Sequence, residues 1–197
     1  MKLLSLAEIG SVRAAELVAE ALSVPGGTAL VPTETVYGLV ARFDDRTAVE
    51  RIFRLKNRPA AKQLGWFIGD WRKLADYGVV LRGLPEQLAR RYMPGALTVI
   101  APRVDGSTQG FRVPDHPLLA ALLGMLDFPL VQTSANASGM PDAPDCQAAL
   151  AQLTGPVDCA VDGGPIPPGA RGSTVADATG EKVKILRQGV VDLQNWL

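Results

Sequence analysis

The chain has 197 residues, of which 47% are apolar and 20% charged, so it can bury a real core and does not have a disordered composition. Twenty cationic and twenty anionic side chains cancel, which gives no whole-molecule attraction to nucleic acid or an anionic membrane. A local basic cleft is still compatible with that total.

In chain order, Leu6 to Leu22 has apolar positions at helical spacing and reads as an opening helix, ended by Pro25-Gly26-Gly27. Thr28 to Pro32 reads as a buried strand running into Thr33-Glu34-Thr35-Val36-Tyr37-Gly38-Leu39. Asp44-Asp45 offers an N-cap for a helix from Arg46 to Lys56, with Val49, Ile52, Phe53 and Leu55 on its inner face and Pro59 as its stop. A strand over Leu64–Ile68 and a short helix over Asp70–Tyr77 follow, then a helix from Leu84 to Tyr92 closed by Pro94-Gly95. Strands over Ala96–Ala101 and Phe111–Val113 flank a polar loop, Val104–Gly110. Pro117–Leu126 is helical, Phe128–Gln132 a strand and Cys146–Leu153 helical; Asp158–Val161, Ser173–Asp177 and Val183–Arg187 are strands.

The Gly/Pro-dense stretch from Asp162 to Gly172 is a loop too short to be an interdomain linker, so 1–197 is expected to form one domain. The expected class is α/β, a twisted open mixed sheet with flanking helices. Its order is not a simple βαβ alternation, and neither GxGxxG nor GxxxxGK[ST] occurs, which removes the two standard phosphate loops. Cys146 and Cys159 lack metal-like pairing and read as buried, reduced thiols. The N-terminus turns polar too soon for a signal peptide, and no apolar run is long enough to span a bilayer, so a cytoplasmic location is expected.

Two polar blocks carry most of the chemistry. Lys56-Asn57-Arg58-Pro59, with Lys62 beyond it, places three cations on one turn and suits a polyphosphate. The alternative is a solvated helix end that complements the dipole. Thr133-Ser134-Ala135-Asn136 emerges from a buried strand, a usual place for ligand contacts in open α/β sheets, although Ser and Asn also favour turns for local reasons. Thr33-Glu34-Thr35 carries the same two readings. Arg112 sits in a strand-like run where an unpaired charge is costly, so it needs a protein carboxylate or an anionic ligand. His116 is the only histidine and reads as structural; a nucleophilic triad and a dedicated metal site are not expected.

Taken in order, Pro32-Thr33-Glu34-Thr35-Val36-Tyr37-Gly38, Lys56-Asn57-Arg58-Pro59, Pro94-Gly95-Ala96-Leu97-Thr98, Arg112-Val113-Pro114-Asp115-His116-Pro117, Thr133-Ser134-Ala135-Asn136-Ala137-Ser138-Gly139, Ser173-Thr174-Val175 and Ile185-Leu186-Arg187-Gln188-Gly189 resemble the YrdC/TsaC family of threonylcarbamoyl-AMP synthases. The likeness covers about 26–189. It implies a YrdC-like fold with a concave, positively charged cavity. The implied activity makes L-threonylcarbamoyladenylate and diphosphate from L-threonine, bicarbonate or CO₂, and ATP. The product feeds a tRNA threonylcarbamoyl-transferase machinery that modifies adenosine 37, and contact with tRNA or double-stranded RNA is an open expectation. By position, Thr35, Arg112, Ser134 and Ser173 would hold threonine; Lys56, Arg58, Lys62, Thr108, Asn136 and Arg187 would hold ATP, and Pro144 would line its pocket. Lys56 and Arg58 would be the catalytic pair. Mg²⁺ would arrive with ATP and not in a protein cage.

Two features depart from the family pattern. Phe67 stands where some members place a histidine against threonine, and the expected single domain is without the C-terminal domain of the longer branch. The segment 163–172 is expected to fold over the ligands. Rival readings are an inactive paralogue, disfavoured because both the KxR and SxN blocks are kept, and a double-stranded RNA-binding or ribosome-maturation factor, disfavoured by the neutral net charge.

Overall fold

The computed structural model describes residues 1–196. It contains strands β1 (Lys2–Ser5), β2 (Thr28–Val31), β3 (Gly38–Arg42), β4 (Gly65–Phe67), β5 (Leu97–Pro102), β6 (Thr108–Arg112), β7 (Leu130–Ser134), β8 (Cys159–Asp162), β9 (Thr174–Asp177) and β10 (Lys184–Arg187). The helices are α1 (Leu6–Ser23), α2 (Arg46–Leu55), α3 (Leu84–Tyr92), α4 (Pro117–Met125) and α5 (Cys146–Ala151), with 3₁₀ turns at Trp71–Tyr77 and Gln194–Trp196. All ten strands join one mixed sheet in the order β1-β8-β2-β3-β7-β4-β6-β5-β9-β10. Among the described residues, no helix is long and apolar enough to cross a membrane.

Strand alternation divides the core in two. Leu30, Leu39, Trp66, Val99, Phe111 and Val131 point to the face that α2, α3 and α5 cover. Val31, Val40, Phe67, Leu130 and Val161 point the other way, against the buried faces of α1 and α4. On that second face the helices cover β8, β2 and β3 as far as Phe67, and the stretch over β7, β4, β6, β5 and β9 opens into a cavity. The helix that carries the cationic block starts where Asp45 accepts from the Ala48 amide and buries Ala48, Ile52 and Leu55.

Several expectations need correcting, and one element is new: Lys2–Ser5, to which the sequence assigns no element, is a strand paired parallel to β8. Thr108 and Gln109 belong to β6, not to the preceding loop: Pro102 pairs with Thr108, and the Gln109 amide reaches the Leu64 carbonyl at 3.0 Å. Ser134 is the last residue of its strand, paired to Gly38, not a residue beyond the strand end. The short helix before Gly78 is 3₁₀. Lastly, α2 does not need Pro59 to stop. Asn57 adopts a left-handed φ of 49°, the Asn57 amide bonds the Arg54 carbonyl at 3.1 Å, and the Arg58 amide bonds the Phe53 carbonyl at 2.9 Å. This is a Schellman ending, and asparagine is among the few non-glycine side chains that tolerate it.

Candidate active site

The cavity of about 290 Å³ has a floor made by one face of six strands, β3, β7, β4, β6, β5 and β9. The registers place Gly38 beside Ser134, Gln132 beside Gly65, Phe67 beside Arg112, and Gly110 beside Ile100. Three glycines therefore fall on the floor at positions 38, 65 and 110, where side chains would otherwise fill the space. At Gly65 a methyl would come within 2.6 Å of the Gln132 amide nitrogen, so the glycine lets that side chain lie across the strand.

Thr35, Arg58, Phe67, Arg112, Ser134, Ser173 and Arg187 all line this one cavity, although they come from seven separate segments. Three of them are arginines, and no aspartate or glutamate is among the lining residues. Burial lowers the Arg112 guanidinium from its usual value; Glu34 opposes that effect and the charge of Arg187 adds to it, so the two arginines sense each other. Burial likewise lowers Arg58. Clustered guanidiniums in a half-enclosed space without a carboxylate wall favour anions, through bidentate contacts to phosphate or carboxylate.

Each arginine is held by protein oxygen. Arg58 donates to the Lys62 carbonyl at 3.0 Å and the Gln63 carbonyl at 2.7 Å. Arg187 donates to the Ser173 carbonyl at 2.8 Å and to its hydroxyl at 3.2 Å, and that hydroxyl also meets Thr98 Oγ1 at 2.9 Å. Arg112 donates to Thr35 Oγ1 at 3.2 Å, and its guanidinium carbon lies 4.9 Å from the centre of the Phe67 ring. Phe67 thus supports the arginine from below, as a cation–π platform in place of a polar contact.

Lys56 is engaged differently. It is only 2% exposed, does not line the cavity, and donates through Nζ to the Ser134 carbonyl, the Asn136 carbonyl at 2.5 Å and Asn136 Oδ1 at 3.1 Å. Its own carbonyl accepts from the Ser138 amide at 2.9 Å. Burial, with the charge of Arg58 adding to it, lowers the ammonium to about 8. The cationic block and the Ser/Asn block are therefore physically joined, with Lys56 as the bolt between them and Arg58 as the member that faces the cavity. Asn136 is buried in the same turn, where its Oδ1 accepts from the Ser134 hydroxyl at 2.6 Å. Lys62 is exposed beside Arg58; Thr108 lies on the cavity side of β6 at its far end; Pro144 lies outside the lining, its carbonyl accepting from Ile166 N–H at 2.7 Å.

Thr33, which the sequence offers as a strand-end hydroxyl, lines the cavity too, as do Gln63, Thr98 and Gln132, which no sequence reading singles out as site residues. Gln132 alone had a signal, as a polar residue interrupting the apolar run Leu130-Val131. A second cavity adjoins the first across Thr33, Thr35 and Tyr37, lined also by Glu34, His116 and the segment from Gly163 to Ala170. Tyr37 pins that segment: its hydroxyl donates to the Gly164 carbonyl at 2.7 Å and accepts from the Gly163 amide at 2.9 Å. His116 caps α4, accepting from the Leu118 amide at 3.3 Å, and burial lowers its pKa. Among the described residues no three His, Cys, Asp or Glu side chains group as a metal site.

The Sua5/YciO/YrdC family model, described as telomere recombination, matches residues 23–189. A threonylcarbamoyl-AMP synthase of Pyrococcus abyssi is 35% identical over 175 residues, covering 83% of this chain and 50% of that protein. One of Bacillus subtilis is 36% identical over 168 residues, covering 80% of this chain and 48% of that protein. The crystal structure of Pyrococcus abyssi Sua5 complexed with L-threonine superposes with a TM-score of 0.77 at 30% identity, covering 96% of this chain and 58% of that one. The chain thus spans about half the length of these curated relatives.

Proposed function

This chain belongs to the Sua5/YciO/YrdC family, and from that premise we propose that it is a threonylcarbamoyl-AMP synthase, a nucleotidyltransferase that joins L-threonine, bicarbonate or CO₂, and ATP. The observation that carries the proposal is the cavity itself: Arg58, Arg112 and Arg187 around a hydroxyl-lined, glycine-floored space with no carboxylate in its wall. Such a space suits an amino-acid carboxylate and a polyphosphate together.

In this reading Arg112, steadied by Thr35 and Phe67, takes the threonine carboxylate, with Ser134 and Ser173 nearby for its other polar groups. Arg58 and Arg187 face the ATP phosphates, Lys62 and Thr108 stand towards the rim, and Asn136 shapes the nucleotide end. Lys56 contributes by holding the Ser134–Asn136 turn. The amine of threonine adds to CO₂ and loses a proton, giving a carbamate. A carbamate oxygen then bonds to the α-phosphorus as the bond to the pyrophosphate oxygen breaks. No side chain need act as nucleophile; the protein's part is to position the reactants and to neutralise charge on the transferring and leaving phosphates. Magnesium would enter as part of the ATP complex, since the cavity wall supplies no carboxylate to hold it. The product would pass to the machinery that modifies tRNA in the cytoplasm.

The test is product identity. Incubation with L-threonine, MgATP and ¹³C-bicarbonate should yield, by mass spectrometry, a threonylcarbamoyl adenylate carrying one heavy carbon. Folded protein that forms no labelled adenylate would overturn the proposal.

A further inference from the structure

Among the described residues Glu34 is the one carboxylate in contact with the arginine cluster, and it is held in an unusual way. Its side chain is 18% exposed, yet both carboxylate oxygens are closed to solvent and neither accepts a hydrogen bond within the described residues. Its partner is Arg112, whose Nη1 lies 3.5 Å from Glu34 Oε1 and whose side chain is 4% exposed. A buried carboxylate without donors is costly, so stability alone is a poor reason to keep one.

The arrangement around Arg112 supplies a different reason. Nη1 faces both Glu34 and Thr35 Oγ1, the latter at 3.2 Å. The Phe67 ring supports the guanidinium plane. Nε is buried with no protein partner, and Nη2 makes no hydrogen bond within the described residues. One corner of the guanidinium is thus engaged by the protein, while the Nε–Nη2 edge, the side that pairs with a carboxylate through two parallel hydrogen bonds, is unspent. Glu34 also sits on the correct side. It lines the adjoining cavity, with His116 and the segment from Gly163 to Ala170, and not the cavity that Arg112 faces. A carboxylate inside the ligand cavity would repel an anion; placed in the adjoining cavity, it faces Nη1 and leaves the Nε–Nη2 edge without a protein partner.

We infer that Glu34 is a positioning residue, which holds Arg112 by Nη1 so that its Nε–Nη2 edge is presented to the α-carboxylate of the amino-acid substrate. The inference rests on the proposed function for the identity of that substrate, while the Glu34–Arg112 relation stands on geometry alone.

Glu34→Gln, which keeps the shape and removes the charge, separates the possibilities. Calorimetric titration should show L-threonine binding weakened at least about 10-fold, with MgATP binding changed by less than about 2-fold, as expected for loosening one charge-assisted contact. In an Arg112→Ala background the same substitution should cost nothing more. Threonine affinity retained in Glu34→Gln, equal loss for both ligands, or an effect that simply adds to that of Arg112→Ala would each overturn the inference. A ligand-free readout keeps the two readings apart: the Arg112 Nε–Hε resonance should shift and exchange faster with water in Glu34→Gln. If the parent protein binds no L-threonine but this resonance responds, the substrate reading fails and the positioning role stands. An unresponsive resonance overturns the positioning role.

Discussion

Replacing Gly38 by alanine should separate folding from function. Gly38 pairs with Ser134 on the cavity floor and does not have a left-handed φ, so alanine meets no backbone penalty there. The added methyl would lie 3.6 Å from Thr33 Cγ2, 3.8 Å from the Thr133 carbonyl oxygen and 3.9 Å from Phe67 Cε2, all ordinary contacts. The fold accepts it, and loss of a strand glycine should change stability by no more than about +0.5 kcal/mol, or about 2 °C in melting temperature. The methyl nevertheless occupies a cavity of about 290 Å³ that, under the proposed function, receives two substrates. One methyl in a fitted pocket is worth roughly 1–3 kcal/mol, so kcat/KM should fall about 10–200-fold. The assay pairs thermal unfolding with steady-state kinetics at varied L-threonine. Gly189→Ala is the contrasting control, because its methyl would lie 2.2 Å from the Gly172 carbonyl oxygen and must disturb the fold. Unchanged kinetics in a well-folded Gly38→Ala protein would refute the idea that this strand face is the ligand floor.

Lys56→Met should remove the only donor to the Ser134 and Asn136 carbonyls from that side chain and cost about 3 kcal/mol, a drop of roughly 6–12 °C by differential scanning calorimetry. Arg58→Ala should instead leave melting within about 3 °C and weaken MgATP binding by roughly 10². Because burial holds Lys56 at about 8 against an ordinary 10.5, the unfolded chain carries more protons than the folded one between those pH values. This group's contribution to stability is therefore level below pH 8 and rises with pH through that window. Urea unfolding at a series of pH values should show that rise in the parent and not in Lys56→Met. Burial pushes the Cys146 thiol up to about 12 and raises Cys159 as well, so a disulfide reagent should label neither thiol quickly in native protein and both after denaturation.

Elements with strong periodicity were legible in the sequence: α2 shows its Asp45 cap and apolar face directly, and α3 and α4 stand close to their expected limits. The first strand was not, because four half-exposed residues form a strand only through parallel pairing with β8, more than 150 residues away. The start of β6 was hidden by Gly110, which breaks the strand pattern for the sake of the cavity floor. The site shows the same division. Arg58, Arg112, Ser134 and Arg187 stand out as motifs, but their gathering depends on the order β7-β4-β6-β5-β9, which no local signal encodes. For Lys56 the sequence shows a cation at a helix end, which suits a phosphate; that its ammonium turns inward onto two carbonyls depends on a turn about 80 residues later.

The most direct measurement is the rate of pyrophosphate release from MgATP with L-threonine and bicarbonate supplied together, singly and not at all. Release is expected only when both accompany ATP, and to fall sharply in Arg112→Ala. Release at the same rate without L-threonine would contradict the assignment, as would a folded protein that releases none under any condition.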